Sequence, residues 1–168
     1  MMDSSIINKS TDIELNIFCD GGARGNPGPA AIGFVVKDGQ GKLIHQEART
    51  IGETTNNVAE YQAVIAALEW LVNNKDSRHS GLSVRLFLDS RLVANQLNGA
   101  FKVKDIKLRN LILIVKGLEK TAKLTIGTKG SLFPQERNNI FYQTIPRELN
   151  AEADGLVNSA LDKLSLLQ

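Results

Sequence analysis

Two aspartates, Asp20 and Asp89, each end a stretch in which apolar and polar residues alternate, and each lies on the side opposite the apolar row. This period of two predicts β-strands over residues 13–20 and 82–89. If the strands are parallel neighbours, both carboxylates lie at the carboxyl edge of the sheet, where open α/β sheets bind ligands. A bound cation would relieve their repulsion. Each residue taken alone is also consistent with a solvated turn former at a strand end.

Two further acids are candidates because of their places on predicted helices. Glu60 lies at the start of the helix predicted over residues 57–73, where the sequence NVAE matches a capping box with Asn57 as the cap. Asp154 lies on the flank of the apolar face of a closing helix, predicted over residues 150–167 with its first asparagine as the cap. A carboxylate at the edge of a core needs a partner, and a metal ion would supply one.

No histidine lies next to any of the four acids, and Cys19, which precedes Asp20, falls in the apolar row on the opposite side of its strand. Hard oxygen ligands of this kind suit Mg²⁺ or Mn²⁺ rather than zinc. Several carboxylates converging on one edge could hold two such ions about 3.5–4 Å apart, an arrangement used for in-line attack on a phosphodiester. The acids therefore predict a metal-dependent phosphodiesterase site, provided that the fold brings them together.

The elements that must position these acids follow the order β-β-β-α-β-α-α-β-α. A glycine-rich turn over residues 21–29 follows the first strand, and an Asp-Gly turn over residues 38–41 predicts a hairpin between the second and third strands. A three-strand meander followed by strand–helix alternation predicts an α/β fold with a mixed sheet and helices on both faces. The remaining strands are predicted over residues 31–37, 42–51 and 139–145, the remaining helices over residues 91–97 and 106–120, and a hairpin or mobile loop over residues 123–137.

The composition is that of one ordinary folded domain. The chain has 168 residues, 42% of them hydrophobic and 23% charged, and we expect a single domain over residues 13–168 after a short polar segment, residues 1–12. The single cysteine, Cys19, excludes an internal disulfide framework. No apolar run approaches the roughly 20 residues of a membrane helix, and the start lacks the apolar core of a signal peptide. We expect a cytoplasmic, intracellular monomer without an obligate protein partner.

The net charge of +2 conceals a basic middle region. Between Arg91 and Arg137 there are ten lysines or arginines and three acids, a local net charge of +7. Such a region favours a polyanionic partner such as a nucleic acid, although a solvated helix face would have the same composition.

Four motifs, in order, resemble those of type 1 ribonuclease H. They are FCDGGARGNPGPA over residues 18–30, TNNVAE over residues 55–60, Asp89-Ser90, and NAEAD over residues 150–154. Together they cover about residues 12–165, and four ordered motifs are far more specific than one short pattern. The sequence IPRE over residues 145–148 is similar to the compact branch that lacks the loop histidine of many relatives.

The resemblance implies a ribonuclease H-like sheet of five strands, three in an antiparallel meander and two parallel, flanked by helices. It also implies an endonuclease that hydrolyses the RNA strand of RNA–DNA hybrids and leaves 3′-hydroxyl and 5′-phosphate ends. In this family pattern Asp20 bridges two divalent metal ions, and Asp154 completes the site that activates water. Glu60 and Asp89 complete the site that stabilises the leaving oxygen.

The resemblance also assigns residues that contact the substrate. It implies contacts to RNA 2′-hydroxyls from Asn26 and Asn56, a further RNA contact from Asn57, and a DNA-strand phosphate contact from Thr55. An asparagine can both donate to and accept from a 2′-hydroxyl, the group that separates RNA from DNA.

Basic residues near these positions are candidates for phosphate contacts. Lys102, Lys104 and Lys107 are expected to form a reduced version of the basic protrusion that some members carry, although a solvated loop explains them equally well. Arg147 can hold a phosphate through its planar guanidinium. Glu53 stands where some members have arginine and would repel a phosphate, so the phosphate pocket near Thr55 departs from the family pattern.

Two alternative functions remain open at this point. The first is a non-catalytic hybrid-binding domain with the same fold, which the four carboxylates disfavour because they repel a polyanion. The second is another nuclease of the ribonuclease H-like superfamily, which the Thr-Asn-Asn motif and the glycine-rich opening disfavour.

Overall fold

The computed structural model describes residues 14–74, 83–126 and 140–167, with the backbone alone for residues 123–126. The predicted polar segment over residues 1–12 and residues 127–137 of the predicted hairpin or loop lie outside the described residues. Within them, the predicted order of elements is confirmed. The elements are β1 (Glu14–Ala23), β2 (Gly28–Asp38), β3 (Leu43–Thr54), α1 (Asn56–Asn73), β4 (Ser83–Leu88), α2 (Arg91–Leu97), α3 (Ile106–Ile126), β5 (Ile140–Thr144) and α4 (Ala151–Ser165), with a 3-10 helix over Arg147–Asn150 between the last two.

The sheet has the strand order β3-β2-β1-β4-β5. The pairs β1–β2 and β2–β3 are antiparallel, and the pairs β1–β4 and β4–β5 are parallel. The mixed five-stranded sheet is therefore confirmed, and β1 and β4 are the parallel neighbours that a meeting of Asp20 and Asp89 requires. Phe18 pairs with Phe87, so Asp20 and Asp89 each lie two residues further along adjacent strands.

Helices cover both faces of the sheet, as expected. One face carries the main core, in which α1 packs against β1, β2 and α3. On the other face α4 packs against β2, with Val157 and Leu161 buried against Ala31. The apolar rows of β1 and β4 thus lie in the core, as strand alternation predicts.

Several predicted element boundaries differ from the structure: β2 begins at Gly28 instead of residue 31, and β3 ends at Thr54 instead of residue 51. The glycine-rich stretch was expected to form a turn over residues 21–29, but β1 continues to Ala23 because Gly21 and Gly22 pair with β2. Helix α3 continues to Ile126, so the assignment of residues 123–126 to a hairpin or loop is wrong. The buried Ala122 extends the helix's contact with the core beyond the predicted end at residue 120.

The predicted helix caps are also different. The side chain of Thr55 caps α1 by accepting a hydrogen bond from the backbone N–H of Val58, so the capping-box interpretation of Glu60 is wrong. Glu60 is the fifth residue of this helix, too far along it to cap its start. The side chain of Asn150 does not cap α4, because the 3-10 helix leads directly into α4.

Candidate active site

A cleft of about 780 Å³ opens at the carboxyl edge of β1 and β4. All four predicted acids line it: Asp20, Glu60, Asp89 and Asp154. Strand β1, the beginning of α1, the residue that follows β4 and the first turn of α4 each bring one carboxylate to this cleft.

Three of these acids form a tight group. Asp20, Glu60 and Asp89 each offer one carboxylate oxygen, and these oxygens all lie within 4.8 Å of one another. Asp154 faces the same cleft but is not a member of this group. The structure thus brings three acids together and places the fourth beside them.

Gly21 allows Glu60 to come this close to Asp20. A Cβ atom at Gly21 would lie 2.2 Å from the carbonyl carbon of Ala59 and 2.5 Å from the backbone nitrogen of Glu60. Only a residue without a side chain lets the backbone of β1 approach α1 so closely. Sequence analysis treated this glycine as part of a turn and did not identify its role in the site.

Burial and mutual repulsion oppose ionisation of the grouped acids. The pKa of Asp20 is raised to about 7, chiefly by burial and also by the charges of Asp89 and Asp154, while the positive charge of Arg147 lowers it. The pKa of Glu60 is held well above its ordinary value by burial and by the neighbouring charges of Asp20 and Asp89. Burial is also the main cause of the raised pKa of Asp89. Three carboxylates that lie close together and are largely shielded from water favour the binding of a cation.

The donor set fits a hard divalent cation. Oε2 of Glu60 is buried and has no hydrogen-bond partner among the described residues. The grouped ligand atoms are all carboxylate oxygens, which suit Mg²⁺ or Mn²⁺ better than softer metals. A cation here would satisfy the orphaned oxygen and neutralise the group.

Asp154 already has partners from its own chain. Nη2 of Arg147 lies 2.8 Å from its Oδ1 atom, and Nδ2 of Asn158 donates a hydrogen bond of 3.1 Å to its Oδ2 atom. The side chain of Arg147 is 75% exposed, so this ion pair faces solvent. The sequence predicted that Asp154 needs a partner. In the structure Arg147 and Asn158 are its partners.

The predicted substrate-contacting asparagines also connect two loops. Oδ1 of Asn56 accepts a hydrogen bond of 2.8 Å from the backbone N–H of Ala23. Oδ1 of Asn26 accepts one of 3.1 Å from the backbone N–H of Asn56. Both side chains are exposed, and they hold the loop between β1 and β2 against the start of α1. The sequence analysis did not foresee this structural role.

A second cleft, of about 650 Å³, lies beside the first on the same surface. It is lined by Asn26, Thr55 and Asn57 together with Lys107, the second residue of α3. The acid Glu53 lines it too, as does Asp105. Lys102 and Lys104 are exposed residues of the α2–α3 loop that do not line it. The structure therefore separates Lys107 from the other two predicted lysines.

Arginines at the rim of the first cleft were not selected by the sequence analysis. Arg24 and Arg91 both line it, Arg24 in an ion pair with Asp162 and Arg91 at the start of α2. The available signal was that Arg24 lies within the first motif, residues 18–30, and that Arg91 directly follows the third, Asp89-Ser90.

The sequence has clear relatives. Residues 12–132 match the model of the RNase H family, which is most of the chain. The chain belongs to the RNase H family. It is 38% identical over 148 residues to ribonuclease HI of Halobacterium salinarum, a match that covers 88% of this chain and 64% of that protein. It is 35% identical over 151 residues to a bifunctional protein of Mycobacterium tuberculosis, covering 89% of this chain and 36% of that one. The chain thus spans less than two thirds of the length of these relatives.

Solved structures of the RNase H family share the fold. LC11-RNase H1, isolated from compost, is 40% identical and has a TM-score of 0.76, covering 90% of this chain and 97% of that one. A structure of the same protein in complex with an RNA/DNA hybrid has a TM-score of 0.71 and covers 89% and 98%. Among the helices that the structure describes, none has both the length and the hydropathy to cross a bilayer.

Proposed function

We propose that this chain is a metal-dependent endonuclease that hydrolyses the RNA strand of RNA–DNA hybrids and leaves 3′-hydroxyl and 5′-phosphate ends. The observation that carries this proposal is the group of Asp20, Glu60 and Asp89, three carboxylates with raised pKa values in an open cleft of an RNase H family member. The relative LC11-RNase H1, solved with an RNA/DNA hybrid, supports the substrate class.

The four acids would hold two divalent cations, Mg²⁺ or Mn²⁺, with Asp20 shared between them. Bound cations of this kind supply the charge that activates water and stabilises the leaving oxygen. The chain's own contribution is to fix the carboxylates on rigid elements: β1 carries Asp20, α1 carries Glu60 and α4 carries Asp154. To serve as a ligand through Oδ1, Asp154 gives up its contact with Arg147.

The surface beside the acids would distinguish and hold the two strands. Exposed amides of Asn26 and Asn56, already placed by their Oδ1 hydrogen bonds, would donate to RNA 2′-hydroxyls, and Asn57 would make a further RNA contact. Thr55 and Lys107 share the second cleft and would take a DNA-strand phosphate. Lys102 and Lys104 would add phosphate contacts along the same edge.

The decisive assay offers labelled RNA–DNA hybrid, duplex RNA and duplex DNA to the purified chain, with Mg²⁺ or with EDTA. We expect cleavage of the RNA strand of the hybrid alone, dependent on Mg²⁺ and abolished by EDTA, with products that carry 5′-phosphates. Tight hybrid binding without cleavage would instead support a binding domain. Cleavage of duplex DNA as fast as the hybrid would support another nuclease of the superfamily.

Arg147 and Glu148 are neighbours with different expected importance. Arg147 faces the cleft and keeps its charge at every working pH, so we propose that it holds a substrate phosphate when it leaves Asp154. Loss of one hydrogen bond to a charged group costs about 1.5–3 kcal/mol, so Arg147→Ala should lower kcat/KM by about 10- to 100-fold. Glu148 is exposed and does not line the cleft, and Glu148→Gln should have only a mild effect.

Steady-state kinetics on the hybrid, run in parallel for both variants, checks this prediction. Mg²⁺ binding should survive in each variant. Wild-type kinetics in Arg147→Ala would show that the loop before α4 is only a connector.

A further inference from the structure

A buried hydrogen bond joins the two helices that flank the acidic group. Tyr61 directly follows Glu60 on α1 and is completely buried. Its hydroxyl donates a hydrogen bond of 2.8 Å to Oε1 of Gln96 on α2, and Gln96 is itself 9% exposed. Within residues 14–74, 83–126 and 140–167, this is the one side-chain hydrogen bond between α1 and α2.

Helix α2 is the element that follows Asp89. Ser90, the next residue, caps α2 by accepting a hydrogen bond from the backbone N–H of Val93. Val93, Ala94, Gln96 and Leu97 are buried on the inner side of this seven-residue helix. A displacement of α2 relative to α1 would therefore also displace Asp89 relative to Glu60.

The three distances within the acidic group depend on different contacts. The separation of Asp20 from Asp89 follows from the parallel pairing of β1 and β4, which extends to Phe18 and Phe87. The separation of Asp20 from Glu60 follows from the close approach at Gly21. Glu60 and Asp89 are related through β1 by these two contacts together, and the hydrogen bond from Tyr61 to Gln96 adds a direct tie between α1 and α2.

The hydroxyl of Tyr61 is not needed to fill the core, because phenylalanine has the same ring. Burying a hydroxyl costs free energy that its hydrogen bond must offset.

We propose that the hydrogen bond from Tyr61 to Gln96 is a positioning contact that sets the separation of Glu60 and Asp89 for metal binding. This inference rests on the proposed function of the acidic group. Tyr61 and Gln96 do not line the cleft, and they act through α1, which carries Glu60, and through α2, which follows Asp89 and its neighbour Ser90.

The test compares Tyr61→Phe with the wild type by titrating Mn²⁺ in a calorimeter and by measuring hybrid hydrolysis. We expect Mn²⁺ affinity to fall about tenfold, at the lower end of the cost of losing a group that supports a metal ligand. The value of kcat should fall with it at fixed Mg²⁺, while KM for the hybrid changes less than about twofold, because the proposed strand contacts lie elsewhere.

Tyr142→Phe is the matched control. Tyr142 is buried like Tyr61, and its hydroxyl donates a hydrogen bond of 2.7 Å to Glu119 on α3, but it does not line the acidic cleft. The same chemical change should lower stability there and leave Mn²⁺ affinity unchanged. An equal loss of Mn²⁺ affinity in both variants would show that the effect comes from a general loss of stability, and it would overturn the proposal.

Gln96→Leu completes the experiment. Once Gln96 is replaced, adding Tyr61→Phe should produce little further loss of Mn²⁺ affinity, since the two residues act as one unit. If Tyr61→Phe binds Mn²⁺ as tightly as the wild type and still cleaves the hybrid, the proposed positioning role of Tyr61 and Gln96 is wrong, while the proposed function stands. A wild-type chain that takes up no Mn²⁺ and cleaves no hybrid would overturn the proposed function and this inference together.

Discussion

Asp20→Asn is expected to lower Mg²⁺-dependent hydrolysis of the hybrid by several orders of magnitude while the fold survives. Asp20 lies within the acidic group, and it is the acid proposed to be shared between both cations. Asparagine keeps the shape of the side chain but removes the charge. Single-turnover cleavage of a labelled hybrid gives the rate directly, and substantial Mg²⁺-dependent cleavage by this variant would refute the assignment.

The same substitution should stabilise the metal-free protein at neutral and alkaline pH. The folded state holds a proton on Asp20 up to about pH 7, whereas an ordinary aspartate releases it near pH 3.8. The folded state therefore binds more protons than the unfolded state between these values, and the contribution of this group to stability falls as the pH rises through that window. Asp20→Asn removes this loss, which is on the order of a few kcal/mol at pH 8.

Urea unfolding in EDTA at pH 5 and pH 8 measures this effect. The gain from Asp20→Asn should be larger at pH 8 than at pH 5, and added Mg²⁺ should stabilise the wild type more than the variant. Glu69→Gln, which changes an exposed acid of α1, is the control and should alter neither stability nor hydrolysis appreciably. A loss of stability in Asp20→Asn at pH 8 would contradict the electrostatic account of the site.

Gly21→Ala is expected to destabilise the protein by about 3 kcal/mol or more, at or beyond the upper end of the usual cost of overpacking. The added Cβ atom would lie 2.2 Å from the backbone of Ala59, and backbone atoms on a packed helix cannot turn aside as a flexible side chain can. Helix α1 would have to move away from β1. Any protein that still folds should bind Mn²⁺ more weakly, because Glu60 moves with that helix.

Gly117→Ala is the matched control for this prediction. Gly117 lies on the exposed side of α3, and a Cβ atom there would meet nothing within 4 Å. Alanine is a better helix former than glycine, so this variant should gain about 0.5–1 kcal/mol of stability. Urea denaturation of both variants decides the matter, and wild-type stability of Gly21→Ala would show that α1 does not approach β1 so closely.

The sequence by itself determined which sheet edge carries the acids. Alternation of apolar and polar residues places Asp20 and Asp89 on the face opposite the apolar row, because side chains in a strand point to opposite sides in turn. The same local logic predicted the helix that carries Glu60, whereas the parallel pairing of β1 with β4 was a condition that the structure supplied. The four motifs of the family resemblance agree with the family to which the chain belongs. Period and order are local properties, so they can be predicted without coordinates.

Only the tertiary structure decided what each acid contacts. The ion pair of Asp154 with Arg147, the approach of Gly21 to Ala59 and the hydrogen bond from Tyr61 to Gln96 all join separate elements. The cap expected from Asn150 failed for the same reason. Its Nδ2 atom donates instead to the carbonyl oxygen of Cys19, 131 residues earlier in the chain. A polar group takes whichever partner the packed chain brings within about 3 Å, and residues distant in sequence become neighbours only when the sheet and its helices have assembled.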